Sequence, residues 1–357
     1  MSALLLAACG TIEDIAGSSS SVSPHKGEDI TVGLLLPDKD TRRFEKFDYP
    51  LIKERVAALT KKKGTVRYAN AGASAAKQSQ QFQEMIDAKV DVILVDAVDA
   101  KAIASDVQKA KDADIPVIAY DRLAQGPIDA YVSHDNELVG QVQGRAIVQA
   151  LGDKSKTSKI VMMNGSLADP NTALFKQGAH SELDGNVIIA KQYDTREWLP
   201  SVAKANMAKA IQAVGLDNIA AVYSANDGMA GAVIDALKEA GASKIPPVTG
   251  QDADLAALQR IVAGEQYMTV YKPFLLEADN AAELAVSKVQ GRSLEFDALT
   301  PDTVASPTEK DIRSNLVQVV AVTKDNIKDT VIQDGVYTVK DICTPEYAAD
   351  CAEIGLR

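Results

Sequence analysis

From Ile30 onward the chain alternates between two patterns. Short apolar runs read as buried strands, and longer stretches with apolar residues at helical spacing read as amphipathic helices. Residues 30–36 form the first such run, ended by Pro37; residues 49–62 follow with Leu51, Ile52, Val56 and Leu59 on one face. The alternation continues with strand 65–68, helix 75–88, strand 90–95, helix 100–112 and strands 116–120 and 130–133. A second series runs through helix 137–151, strand 159–163, helix 172–183, strand 187–193, helix 200–214, strand 220–224 and helix 228–240. Strand 247–250, helix 253–263, strand 267–271, a long alanine-rich helix over 275–289 and a strand over 316–322 complete it. Strands that alternate with helices of this length imply parallel sheets and right-handed crossovers. Two successive α/β series imply two lobes with a cleft between them.

A chain of 357 residues accommodates two domains. With 46% hydrophobic and 24% charged residues and a mean hydropathy of −0.07, its composition is that of a globular protein. The net charge of −11 disfavours a nucleic-acid partner, and Lys61–Lys63 reads as the solvated end of a helix. No apolar run approaches the roughly 18 residues of a membrane span.

The N-terminus has a different character. Leu6-Ala7-Ala8-Cys9 resembles a bacterial lipobox, in which Cys9 would carry the lipid; a serine-rich linker over 17–24 would hold the folded part off the bilayer. No Lys or Arg precedes Cys9, a departure from the usual signal sequence. Cys343 and Cys351 would close a small loop in an extracytoplasmic compartment and stay free thiols otherwise. His25, His134 and His180 are scattered, so no metal site is expected, and His134 and His180 read as surface or satisfied side chains.

Polar clusters stand where the strand-like runs end: Arg42-Arg43, Asp121-Arg122, Asp169-Pro170-Asn171, Trp198, Asn226-Asp227, Gln251-Asp252 and Lys272. In open α/β sheets, ligands bind in the crevice at the carboxyl ends of the strands. Guanidinium, ammonium, carboxylate and amide groups beside the only Trp suit a small, uncharged, hydroxyl-rich molecule. Each cluster also has a structural reading: the Asp121-Arg122 pair can steady a crossover, one Asp of Gln251–Asp254 can cap a helix, Asn226-Asp227 is ambiguous in the same way, and Trp198 can be core. Dinucleotide and phosphate loops and a nucleophile elbow are missing from the sequence, so neither a cofactor nor catalysis is expected.

In order and wording, several strings resemble the bacterial D-xylose-binding proteins, periplasmic solute-binding proteins of sugar ABC importers. They are Tyr120-Asp121-Arg122, Ser133-His134-Asp135-Asn136, Trp198-Leu199-Pro200, Gly250-Gln251-Asp252-Ala253-Asp254-Leu255 and Val270-Tyr271-Lys272-Pro273. The resemblance covers roughly residues 29–340. It implies two Rossmann-like lobes, 29–133 plus 273–305 and 134–272 plus 306–342, joined by three hinge segments, with 343–357 as a tail. It further implies a monomer outside the cytoplasm that closes on one monosaccharide, D-xylose first, and delivers it to a membrane permease without turnover. The sugar contacts it implies are Arg43, Asp121, Arg122, Asp169, Asn171, Trp198, Asn226, Asp252 and Lys272, with Phe44 as an opposing wall. Phe44 stands where such relatives usually carry Trp, Pro170 where they carry Asn, and His134 where an aromatic is usual. Alternatives are another aldose such as glucose or galactose, the sensing domain of a repressor, and a sugar enzyme. The repressor reading is weakened because no helix-turn-helix pattern stands before Ile30.

Overall fold

The computed structural model describes residues 26–357, so the lipobox, Cys9 and the linker lie outside the described residues. The chain runs through β1 (Thr31–Leu36), a π-helical turn (Phe44–Asp48), α1 (Tyr49–Leu59), β2 (Thr65–Asn70), α2 (Ala75–Asp87), β3 (Val92–Val95), α3 (Ala104–Asp112), β4 (Val117–Tyr120) and β5 (Ala130–His134). It continues with α4 (Asn136–Leu151), β6 (Lys159–Asn164), α5 (Asn171–Leu183), β7 (Ile188–Asp194), α6 (Pro200–Val214), β8 (Ala221–Ser224), α7 (Asp227–Glu239), α8 (Leu255–Ala263) and β9 (Thr269–Tyr271). Then come α9 (Phe274–Gln290), α10 (Ser293–Ala298), β10 (Asp302–Val304), β11 (Ile312–Val317), β12 (Val320–Val322), α11 (Val339–Ile342) and α12 (Ala348–Glu353).

The first sheet has the order β10-β11-β5-β4-β3-β1-β2 and is parallel except for β10. Helices cover both faces, which is why β3 and β4 are apolar at every position rather than alternating. On one face α9 presents Ala278, Ala281, Ala282 and Ala285 to Leu34, Leu36, Leu94 and Ile118. Phe82, Met85, Val107 and Ala110 of α2 and α3 cover the other.

In the second lobe β7-β6-β8 are parallel, Val248 bridges Val222, and Gln251 bridges Val270 of the antiparallel β9–β12 pair. Helices α4 and α5 touch backbone to backbone: a Cβ on Gly140 would collide with the Phe175 carbonyl, and one on Gly178 with the Glu137 carbonyl.

The chain passes between lobes after β5, after β9 and after β11. The last passage corrects two expectations. Residues 316–322 are not one strand: β11 pairs with β5 in the first sheet, and β12 pairs with β9 in the second. Residues 306–317 therefore do not belong with 318–342 in the second lobe. The apolar run is continuous across the crossing, so periodicity carries no mark of it. Cys343 and Cys351 form a disulfide, with Cα atoms 5.9 Å apart. The tail it staples packs Ile342, Cys351 and Leu356 against Leu258, Ile261 and Val262 of α8.

Candidate ligand-binding site

Between the lobes, at the carboxyl ends of both sheets, lies a narrow, partly open cavity with about 20 Å³ of free space. All ten residues put forward from the sequence line it. Arg43 and Phe44 arrive on the π-helical turn after β1, and Asp121 and Arg122 directly after β4. From the second lobe come Asp169 between β6 and α5, Asn171 as the first residue of α5, Trp198 before α6, Asn226 at the cap of α7 and Asp252 ahead of α8. Lys272 stands on the crossing that leads into α9. Arg42, the residue before Arg43, is exposed.

Three further lining residues were not assigned as contacts: Thr41, Phe175 and Gln251. Phe175 follows Asn171 by one helical turn, and that i, i+4 relation was the available signal. Its ring meets Trp198 edge-on at 6.2 Å.

The polar side chains are organised before any ligand is considered. Arg43, 2% exposed, donates Nη1 to Glu277 at 3.2 Å and Nη2 to Asp121, with Asp48 at 3.5 Å from Nε. Arg122 Nε lies 2.9 Å from Asp169, while Nη1 donates to the Ala97 carbonyl at 3.2 Å. Lys272 Nζ lies 3.0 Å from Asp252 and 3.6 Å from Asp121. Trp198 donates its indole N–H to Asp169 at 3.1 Å. Asn226 Oδ1 accepts from Met229 N at 2.9 Å, which commits that oxygen to capping α7 and leaves the amide nitrogen as the donor for a ligand. The Arg43 and Arg122 guanidinium carbons lie 5.1 and 5.9 Å from the Phe44 ring centroid, so cations share that aromatic wall.

Backbone geometry aims several of these groups. Asp121, Trp198 and Asp252 have φ of +55°, +58° and +95°, a region side chains other than glycine rarely occupy. Around Asp121 the strain is held by three bonds to its carbonyl, from Tyr131 at 2.8 Å, Ser133 at 2.7 Å and Asn171 at 3.0 Å. Behind Asp252, the buried Asp227 accepts from Gln266 at 2.7 Å, Thr269 at 2.8 Å and Asp254 N at 3.0 Å. Asp227 is thus the structural member of the Asn226-Asp227 pair.

Charge and burial oppose each other throughout. Burial disfavours the Asp121 carboxylate, yet Arg43, Lys272 and Arg122 hold its pKa far below the usual range. Burial likewise opposes the charge on Arg43, Arg122 and Lys272, and the surrounding carboxylates more than restore it. Outside this circle burial wins: Asp48 is pushed up to about 6, and Asp96 and Glu277 well above the carboxylate range. His134 departs from expectation. It is 1% exposed, its Nδ1 lies 3.6 Å from Glu277, and burial, then Lys272 and Arg43, hold it neutral. Asp121, His134 and Glu277 bring potential metal ligands within 4.8 Å of one another. Arg43 reaches both carboxylates, so the chain's own cation already occupies that donor set.

The chain matches the family of periplasmic binding protein domains over residues 32–293. It is 34% identical over 329 residues to the D-xylose-binding periplasmic protein of Escherichia coli (strain K12), covering 90% of this chain and 95% of that one. It is 35% identical to the protein of the same description from Haemophilus influenzae, covering 90% and 94%. Among solved structures it is similar to an ABC transporter solute binding protein from Clostridium phytofermentans with bound beta-D-glucose. That likeness has a TM-score of 0.80 and 25% identity, over 87% of this chain and 99% of that one.

Proposed function

The chain belongs to the periplasmic binding protein family, and from that membership we propose that it is the substrate-binding component of a sugar ABC importer, with D-xylose as ligand. The observation that carries the reading is the convergence of Arg43, Arg122 and Lys272, acidic acceptors, amides and Trp198 on one small interlobe cavity. A pentose is uncharged, and each hydroxyl both donates and accepts. Charged partners roughly double the strength of each bond, while an epimer would leave buried charges unmatched. Trp198 would take the apolar face of the ring. A ceiling of about −1.5 kcal/mol per heavy atom gives roughly −15 for ten atoms, whereas micromolar binding requires about −8. The difference can offset lobe closure.

The bodies that close are 29–133 with 273–317 and 134–272 with 318–342, and the closed surface engages the permease by its higher affinity for that state. The protein acts as an extracytoplasmic monomer, by binding rather than turnover and without a cofactor. Its anchor is a lipid on Cys9, supported by Leu6-Ala7-Ala8-Cys9 and the polar linker. Radiolabelled fatty acid should enter the full chain in cells and fail to enter Cys9→Ser.

Glucose is the second reading, favoured by the glucose-bound solved structure and by Phe44, smaller than the Trp usual at that place. Titration of Trp198 fluorescence with an aldose panel decides. A specific micromolar response to xylose supports the first reading and a stronger response to glucose the second. Turnover of any sugar refutes both.

A further inference from the structure

Glu277 lies in the first turn of α9, wholly buried, and none of the sugar-contact assignments includes it. Its Oε2 is 3.2 Å from Arg43 Nη1 and 3.6 Å from His134 Nδ1, and its N–H bonds to the Pro273 carbonyl at 3.1 Å. His134 ends β5 at the first crossing between lobes, and Pro273 follows Lys272 at the second. The carboxyl group thus touches a site cation and the end of β5 at the first crossing, and the residue that carries it stands one helical turn beyond the second.

We propose that Glu277 is a positioning residue for the ligand site, fixing the Arg43 guanidinium against the hinge so that its remaining donors face the sugar. The inference rests on the sugar-binding reading. A guanidinium carries five N–H donors in a rigid fork; with Glu277 on Nη1 and Asp121 on Nη2, the plane of that fork is set. Without Glu277, Asp121 on Nη2 and Asp48, 3.5 Å from Nε, remain, but nothing holds Nη1 and the fork can tilt out of its plane.

The groups facing Glu277 are Arg43 and Asp48 from the π-helical turn, Tyr120 and Asp121 from the end of β4, His134 from β5 and Lys272 from the crossing. Burial disfavours its charge, and Asp121 and Asp48 offset much of the help from Arg43 and Lys272, so Glu277 retains a proton to unusually high pH. A neutral carboxyl still accepts from Arg43. Its ionisation at alkaline pH would draw Arg43 toward α9 and weaken sugar binding. The amide of Gln accepts without ionising, and Leu does neither.

The test is calorimetric titration of wild type, E277Q and E277L with D-xylose and D-glucose at acidic, neutral and alkaline pH. Nε–Hε NMR spectra of the unliganded proteins, with the Arg43 signal assigned through Arg43→Lys, supply a readout that needs no sugar. E277L should lose about tenfold or more in affinity. E277Q should stay within about threefold at neutral pH and show a flatter pH profile than wild type. The Arg43 signal should be sharp and protected in wild type and E277Q and broadened in E277L; Glu277→Met repeats the apolar variant should Leu not fold. Wild-type affinity in E277L, equal losses in both variants, or an unchanged Arg43 signal in E277L overturns the proposal. If wild type binds no aldose but the Arg43 signal still depends on residue 277, the sugar reading fails and the positioning role stands.

Discussion

Lys272 places its ammonium 3.0 Å from Asp252 Oδ1, with both side chains at least nine-tenths buried. The lysine stands on a crossing and the carboxylate in the second lobe. Asp121 of the first lobe lies 3.6 Å from the same nitrogen, so one cation joins both sides of the cleft. Backbone pairing of Gln251 and Asp252 with Val270 keeps Asp252 beside Lys272, so on the hinge-closure reading the Asp121 contact is the one that closure makes and opening exposes to water.

Asp252→Asn therefore should weaken aldose binding by about 3 kcal/mol, roughly 100-fold in Kd, because the closed form must bury Lys272 with only Asp121 as partner. The unliganded melting temperature should change little if opening of the cleft lets water reach the Lys272 ammonium. Calorimetry and thermal melts read the two effects separately. A large loss of unliganded stability would instead make Asp252 a structural member of the loop before α8.

Gly165 is where the wall carrying Trp198 can be displaced without substituting a polar side chain. A Cβ there would overlap the Trp198 six-membered ring and come within 2.6 Å of Thr172 Oγ1. Gly165→Ala should turn the indole away from Asp169 and lower sugar affinity by more than about tenfold, at a stability cost of about 1–3 kcal/mol. A shift in Trp198 emission before any sugar is added, together with the raised Kd, would show it. Unchanged emission and affinity would mean that the ring is free to move.

The two α/β series were legible because they rest on local chemistry, apolar runs that end in polar clusters at the strand ends where such folds bind ligands. The ten contacts that line the cavity were singled out by the resemblance to the D-xylose-binding proteins. What was hidden is non-local. Asp48, Asp96 and Glu277 look like ordinary solvated acids in sequence. Packing of the π-helical turn against α9 buries Asp48 and Glu277 around Arg43, and Asp96, just after β3, is buried beside Arg122 and Gln78 of α2. His134 read as surface or satisfied because its burial comes from the neighbouring strands β4 and β11, which no periodicity reveals. The switch of lobe between β11 and β12 was invisible for the same reason. Val317 and Val320 are alike in composition and differ only in the strand each meets.

Asp48 gives the stability of the unliganded protein a pH dependence with a definite sign. Its folded pKa is about 6 against an ordinary 3.8, chiefly from burial. A raised acid binds its proton more tightly when folded. Its stabilising contribution is therefore complete below about pH 4 and lost as pH rises through about 6, by up to ~3 kcal/mol. Asp48→Asn imitates the protonated form, and Arg43 keeps Asp121 and Glu277 as partners. The variant should melt several degrees higher than wild type at about pH 7 and equally at about pH 4. A lower melting temperature at neutral pH would show that Asp48 is needed as a charged partner for Arg43.

The Cys343–Cys351 bridge should matter for stability and not for the sugar. It closes a short loop on a tail whose buried residues pack on α8, and no residue beyond Lys272 lines the cavity. By the loop-closure estimate a crosslink of this span contributes about 2–3 kcal/mol, chiefly by restricting the unfolded chain. Reduction, or Cys343→Ser with Cys351→Ser, should lower the melting temperature by several degrees and leave the calorimetric Kd at room temperature within about twofold. One route for coupling exists, and it makes the outcome informative. Tyr337, on the approach to α11, packs edge-on against Phe47 of the π-helical turn at 5.8 Å, with Lys46 4.6 Å from its ring. That turn also carries Phe44 and follows Arg43. If loosening the tail raises Kd more than about threefold while the protein remains folded, the tail must reach the site through Tyr337. Tyr337→Ala in the oxidised protein should then reproduce the effect.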